Sequence, residues 1–284
     1  MKFLSFTRDG RAGYGVLLAQ DRLAELGTAL PQHPDLRSAI EALHLRGLLE
    51  LAATLKPGLL LKDVELLPPI PQPRKIICVG LNYKAHALEG GFKVPAFPST
   101  FIRTQDTLVA SGAAIVLPAM SSQLDFEGEL AVVIGTGGRN IRAADAFRHV
   151  FGYACFNDGS LRDIQFGHSL TAGKNFPSTG GFGPFITSAN EIPDPAMLTL
   201  TTRLNSATVQ HQSLDDMIFD VPAILEYVSG WTPLSPGDVI ATGTPAGVGF
   251  ARKPPLWMKP GDVIEVEISR LGVLRNVVMA SSPA

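Results

Sequence analysis

The sequence predicts an α+β protein with two parts, a small N-terminal α/β domain over residues 1–73 and a strand-dominated domain over residues 74–284. Three observations carry that expectation. Most of the chain consists of short apolar, β-branched runs bounded by Gly, Pro and Asp, the pattern of strands rather than helices. A helical pattern, with Leu36, Ala39, Ile40 and Leu43 at i, i+3, i+4 and i+7 and then Leu48, Leu49, Leu51 and Ala52, is concentrated near the N-terminus. Between the two lies the densest proline stretch, Leu67-Pro68-Pro69-Ile70-Pro71-Gln72-Pro73, where fixed φ and missing donors predict a stiff linker or edge segment.

The elements follow in chain order. Met1 to Gly10 reads as a first strand and lacks the uninterrupted apolar core of a signal peptide. After Pro73, strands are predicted over 75–79, 114–117, 130–134, 199–205, 239–242 and 263–268. Pro236-Gly237-Asp238 and Pro260-Gly261-Asp262 each deliver the chain into one of them. The clearest later helix starts at Asp220 as a cap, continues through Pro222, Ile224, Leu225 and Val228, and ends near Gly230. A short helix over Leu81 to Gly91 is predicted, capped by Asn82 and ended by Gly90.

Composition narrows the function. With 284 residues and 45% hydrophobic content the chain can bury a sizeable core. The formal net charge of -2, with both signs interspersed, gives no basic stripe for nucleic acid or an anionic membrane, and no stretch is long enough to span a bilayer. A small molecule is the expected partner. Cys78 and Cys155 lie in apolar runs as buried thiols, which fits a cytoplasmic home.

The chemistry concentrates in Asp125-Phe126-Glu127-Gly128-Glu129-Leu130-Ala131-Val132-Val133-Ile134-Gly135. Side chains alternate along a strand, so Glu127 and Glu129 share a face. Two adjacent anions at the edge of a core repel unless protonated or sharing a cation. Asp158, in Phe156-Asn157-Asp158-Gly159-Ser160, ends the next apolar run and completes a candidate triad. Three carboxylates without a nearby Cys or His favour Mg²⁺ or Mn²⁺, with Ca²⁺ as a third candidate, over zinc. His86 and Glu89 are three apart on the short helix, hence on one face, which suits a carboxylate-oriented general base and equally a solvated ion pair with no role. Lys174, between Gly173 and Asn175-Phe176, suits a surface lysine or a cation facing an anionic substrate.

Other glycine clusters lead elsewhere. Gly135-Thr136-Gly137-Gly138 lacks the last glycine of a dinucleotide fingerprint and predicts a hairpin turn. Gly243-Thr244-Pro245-Ala246-Gly247-Val248-Gly249 lacks the end of a P-loop, and Gly167-His168-Ser169-Leu170-Thr171 is no nucleophile elbow.

In combination these segments resemble the fumarylacetoacetate hydrolase family, closely its smaller acylpyruvase-type members, from about Lys75 to Val277. The matching stretches are Lys75 to Tyr83, Asp125 to Gly135, Asn157 to Gln165, Gly173 to Phe176, Asp216 to Phe219 and Thr242 to Gly249. The resemblance implies a mixed β-roll catalytic domain, usually dimeric. It implies that Glu127, Glu129 and Asp158 hold Mg²⁺ or Mn²⁺, that His86 and Glu89 form the water-activating dyad, and that Lys174 and Thr244 contact an oxo-acid substrate with Arg162 and Gln165 at or just behind the site. This chain departs from the family pattern at Ser160-Leu161, where many relatives have Ser-Ala, and at Phe101-Ile102-Arg103-Thr104, where they have Phe-x-Lys-Pro. Arg103 stays a candidate anion contact, although Arg and Lys are not interchangeable at a close-packed site. The expected activity is metal-dependent hydrolysis of a carbon–carbon bond in a 2,4-dioxo acid through a stabilised enolate. Decarboxylation of a β-keto acid such as oxaloacetate, and tautomerisation or hydration of a 2-oxo-enoate, use the same enolate and form the alternative. A non-catalytic oxo-acid or metal binder would not need His86, Glu89 and Lys174 together.

Overall fold

A computed structural model describes residues 1–19 and 21–281. Its largest sheet runs, edge to edge, Leu59–Leu60, Arg22–Glu25, Arg11–Ala19, Lys2–Arg8, Gly180–Ser188, Val150–Asp158, Gly128–Ile134, Val239–Ala241, Ile76–Gly80 and Ser99–Arg103. A second sheet of five strands runs Ala207–Ser213, Thr199–Leu204, Val263–Ile268, Gly272–Ala280 and Ala114–Leu117. The six strands expected after Pro73 all form, within a few residues of their expected ends. Helices are few, as expected of an α+β chain.

The central strand Gly128–Ile134 is buried along its whole length because both of its faces are covered, which is why its sequence from Leu130 onward is a continuous apolar run rather than an alternation. Leu130, Val132 and Ile134 share a core with Leu200, Val266 and Ile268 of the second sheet and with Ile224, Leu225 and Val228 of the helix Val221–Trp231. That helix is capped as predicted, the Asp220 side chain accepting from the Ala223 N–H. Ala131 and Val133, on the other face, pack in a core with Phe3, Val16, Phe151 and the helix Leu36–Ala52. The latter helix starts at a capping box between Asp35 and Ser38 and kinks at His44, where φ is 53°. The kink resets the helical phase, so that Leu48 and Ala52 join Leu36, Ala39 and Ile40 in the core.

The sheet and this second core pass across Pro73. Lys2–Arg8 pairs antiparallel with Gly180–Ser188, and within the proline stretch Ile70 is fully buried while Ser5 Oγ donates to the Pro69 carbonyl at 2.8 Å. The proline run is thus packed against the first strand. Two local expectations change. Gly135 to Gly138 is no tight hairpin turn, because the chain passes through a 3₁₀ segment, Ala143–His149, before re-entering the sheet at Val150. Asn82 does not cap the short helix, which runs Lys84–Glu89 from Tyr83. Its fully buried side chain instead donates to the carbonyls of Phe219 (2.9 Å) and Thr242 (2.7 Å) and accepts from the Phe219 N–H (2.8 Å), joining three segments around the site. Among the described residues no helix is long and apolar enough to cross a membrane.

Candidate active site

Strand pairing assembles the carboxylates. Gly128 lies opposite Asn157 in the antiparallel ladder, and just before it the Asp158 N–H donates to the Glu127 carbonyl at 2.8 Å. Glu127 and Asp158 therefore face each other across the strands, with Glu129 one pleat further on the same face. All three are buried, and a ligand oxygen from each lies within 4.8 Å of the others. Asn157 holds the entry to the strand, its Oδ1 accepting from the Glu127 N–H at 3.0 Å.

Three buried cations surround them. Lys174 Nζ donates to Glu127 Oε2 and to Asp158 Oδ2, each at 2.5 Å. Arg162 reaches Glu127 Oε1 at 2.5 Å, Asp125 Oδ2 at 2.9 Å and Gln165 Oε1 at 2.9 Å. Arg103 pairs with Asp158 and also donates to the Gly159 carbonyl (3.1 Å) and to Thr179 Oγ1 (2.8 Å). Burial works to raise the Glu127 pKa, but Lys174 and then Arg162 outweigh it and hold this carboxyl well below the usual range. Burial works to lower the Lys174 pKa, but Asp158 and Glu127 outweigh it and keep the ammonium charged. Glu129 has no such side-chain partner. Burial and then the charges of Asp158 and Glu127 push it well above the ordinary carboxylate value, with the Gly243 N–H at 2.9 Å as partial relief.

This donor set fits a divalent cation. Glu127, Glu129 and Asp158 bring carboxylate oxygens together without a cationic side-chain partner for Glu129, and these oxygens are of the hard type that Mg²⁺, Mn²⁺ and Ca²⁺ prefer.

The short helix Lys84–Glu89 places His86 on the wall of the same cavity, which has a volume of about 270 Å³. His86 Nδ1 lies 3.0 Å from Glu89 Oε1, and the Gly247 N–H donates to both Glu89 oxygens at 3.0 and 2.9 Å. A carboxylate fixed in this way accepts a hydrogen bond from Nδ1–H and leaves Nε2 as the ring's acceptor. The loop Thr242 to Gly249 thus serves both halves of the site, Gly243 binding Glu129 and Gly247 binding Glu89. Both glycines have positive φ, 103° and 109°, and a Cβ on Gly247 would lie 2.2 Å from the Val209 carbonyl oxygen. Glycine is needed there to aim the amides.

The structure brings Glu127, Glu129, Asp158, His86, Lys174, Arg162, Gln165 and Thr244 together around the cavity, with Glu89 directly behind His86. Arg103 is the exception. It lies outside the cavity wall, and the anion it binds is Asp158, because the guanidinium is fully buried beneath that carboxylate. Residues assigned no role from sequence also contribute. Asp125 joins Arg162 to the glycine loop, its Oδ1 accepting from the Gly249 N–H at 2.7 Å. Gln210 donates to Thr244 Oγ1 at 2.7 Å and accepts from the Gly128 N–H at 3.0 Å, and nothing in its polar strand sequence signals this. Phe250 and Phe166 pack edge to face with centroids 5.4 Å apart, Phe250 lying 4.5 Å from the Arg162 guanidinium.

The chain is similar to several known proteins. Residues 75–279 match the family model for the C-terminal domain of fumarylacetoacetate hydrolase. A mitochondrial oxaloacetate tautomerase of Xenopus laevis is 40% identical over 220 residues, covering 76% of this chain and 69% of that protein. An oxaloacetate tautomerase of Bacillus subtilis (strain 168) is 41% identical over 223 residues, covering 77% and 74%. The crystal structure of maleylpyruvate hydrolase from Sphingobium sp. SYK-6, in complex with manganese(II) ion and pyruvate, superimposes with a TM-score of 0.82 at 30% identity and covers 99% of this chain and 100% of that one.

Proposed function

The chain belongs to the fumarylacetoacetate hydrolase family, and from that premise we propose that it is an enzyme of enol chemistry on 2-oxo acids with a second carbonyl group at C4, a class that includes oxaloacetate and the acylpyruvates. The observation that carries this reading is the relay from the Gly247 N–H through Glu89 to His86, which holds an imidazole acceptor at the wall of a cavity floored by carboxylates. Mere binding of an anion does not require a fixed base.

A divalent cation held by Glu127, Glu129 and Asp158 would supply positive charge beside the 1-carboxylate and 2-oxo oxygens of the substrate. The rest is the work of the side chains. His86 takes a proton through Nε2 and returns it, while Glu89 keeps the ring in one tautomer and stabilises it when charged. Lys174 offsets charge that grows on oxygen. Thr244, Gln165 and Arg162 orient the substrate.

Tautomerisation is the first activity proposed, since a single base moving the C3 proton is sufficient and relatives about 40% identical carry that activity in their names. Hydrolysis is the second reading, favoured by the dyad geometry and by the likeness to a maleylpyruvate hydrolase. There His86 would deprotonate water, hydroxide would add to C4, and the C3–C4 bond would break to give a carboxylic acid and the enolate of pyruvate. Oxaloacetate and acetopyruvate, each incubated with the enzyme and Mg²⁺ or Mn²⁺, separate the readings. Faster enol–keto equilibration without new products supports the first, pyruvate and acetate from acetopyruvate the second, and no effect on either compound overturns both. The family also suggests a homodimer, which sedimentation at micromolar concentration tests, a clean monomer counting against it. A cytoplasmic home remains a proposal from the two free buried thiols.

A further inference from the structure

We infer that the outer part of the active-site cavity is an apolar specificity wall, so that this chain prefers 2-oxo acids with one carboxylate and an alkyl or aryl end over dicarboxylates. The inference rests on the 2-oxo-acid reading above and narrows it to the acylpyruvate-like side of that class. Two independent observations support it.

The first is the lining. The charged groups of the cavity lie at its buried floor, whereas Phe92, Phe166 and Leu170 line it at the solvent end with 39%, 55% and 40% of their surfaces exposed. Leu81, Phe101 and Phe250 continue the apolar surface inward. Large apolar side chains left exposed around a cavity mouth mark a place where an apolar group is to be covered.

The second is charge. The two cations lining the cavity are held at its buried floor, Lys174 on Glu127 and Asp158, and Arg162 on Asp125, Glu127 and Gln165 with the Phe250 and Phe166 rings over its guanidinium, where they face the head of a substrate rather than its outer end. Lys93, next to Phe92 in the chain, is exposed and does not line the cavity. A second carboxylate would enter the apolar end without a partner, and the half-buried Glu89 only adds to the repulsion.

The test is binding, measured by calorimetry on the Mg²⁺-loaded protein with 2-oxoglutarate and 2-oxo-4-phenylbutanoate, neither of which has the 4-oxo group that hydrolysis requires. The phenyl compound should bind at least about tenfold tighter. Phe166→Arg and, separately, Leu170→Arg should narrow or invert that ratio, and both positions are exposed enough for the protein to fold. Equal or tighter binding of 2-oxoglutarate to the unaltered protein would overturn the inference, as would a ratio unmoved by both substitutions. Failure to bind pyruvate at all would instead overturn the 2-oxo-acid reading beneath it.

Discussion

The Gly247 N–H and the Glu89 carboxylate form a three-centre contact at 3.0 and 2.9 Å, and this contact sets the direction in which His86 presents its free nitrogen. Because Gly247 has a φ of 109° and no room for a Cβ, Gly247→Ala should cost about 1–3 kcal/mol of stability and release Glu89. Glu89→Gln tests the relay more gently. An amide cannot stabilise the charged imidazole, so turnover should fall by roughly tenfold, less than in His86→Ala, with the melting temperature little changed. Unchanged turnover in Glu89→Gln would return the pair to the status of a surface contact.

Arg103 supports the metal cradle from below by binding Asp158, Gly159 and Thr179. Arg103→Lys keeps the charge but loses the fork, leaving Thr179 and the Gly159 carbonyl short of a donor. We expect a loss of about 2 kcal/mol, seen as a fall of roughly 5 °C in Tm, and weaker Mg²⁺ binding by calorimetry. Substrate KM at saturating metal should stay within about twofold. A large KM effect with unchanged metal affinity would place Arg103 against the substrate after all.

Both thiols should be inert in the folded protein. Cys78 and Cys155 are fully buried, and burial pushes Cys155 up to about 12 and Cys78 well above its ordinary value. A raised pKa favours the neutral thiol, so at pH 8 neither presents a thiolate to a reagent. Titration with an aromatic disulfide should detect no reactive thiol in buffer and both of them in denaturant, and rapid labelling of either in the native state would contradict the packing.

Metal binding can be measured apart from turnover. Glu129 is the cradle carboxylate without a cationic side-chain partner, so Glu129→Gln removes an unshared ligand while relieving repulsion with Glu127 and Asp158. Mg²⁺ affinity should fall by roughly a hundredfold while Tm without added metal holds or rises. Affinity equal to that of the unaltered protein would exclude Glu129 as a ligand.

Much of this site was legible in the sequence because the strand period is rigid. Two glutamates two residues apart must share a face, and the strand ending at Asp158 had only to pair with theirs to complete the triad. His86 and Glu89 were legible for the same reason on a helix. Long-range contacts were not. Gln210 meets Thr244 and Gly128 only because the second sheet packs onto the first, and the Asn82 amide donates to the carbonyls of Phe219 and Thr242, distant in sequence, instead of capping the helix. Arg103 was misplaced because sequence shows that an arginine replaces a lysine but not which anion lies above it. The kink at His44 falls inside a continuous helical pattern of apolar residues, so the local sequence does not signal it.

Enol–keto equilibration of oxaloacetate and acetopyruvate, followed through the ultraviolet absorbance of the enol on Mg²⁺-loaded protein, isolates the proton transfer assigned to His86. The unaltered enzyme should accelerate it with at least one of the two compounds, and His86→Ala should lower that acceleration roughly a hundredfold while Mg²⁺ affinity, measured on the same sample, stays within about twofold. Acceleration that survives His86→Ala undiminished would show that the relay through Glu89 and Gly247 does not move the proton, and the proposed mechanism would fail.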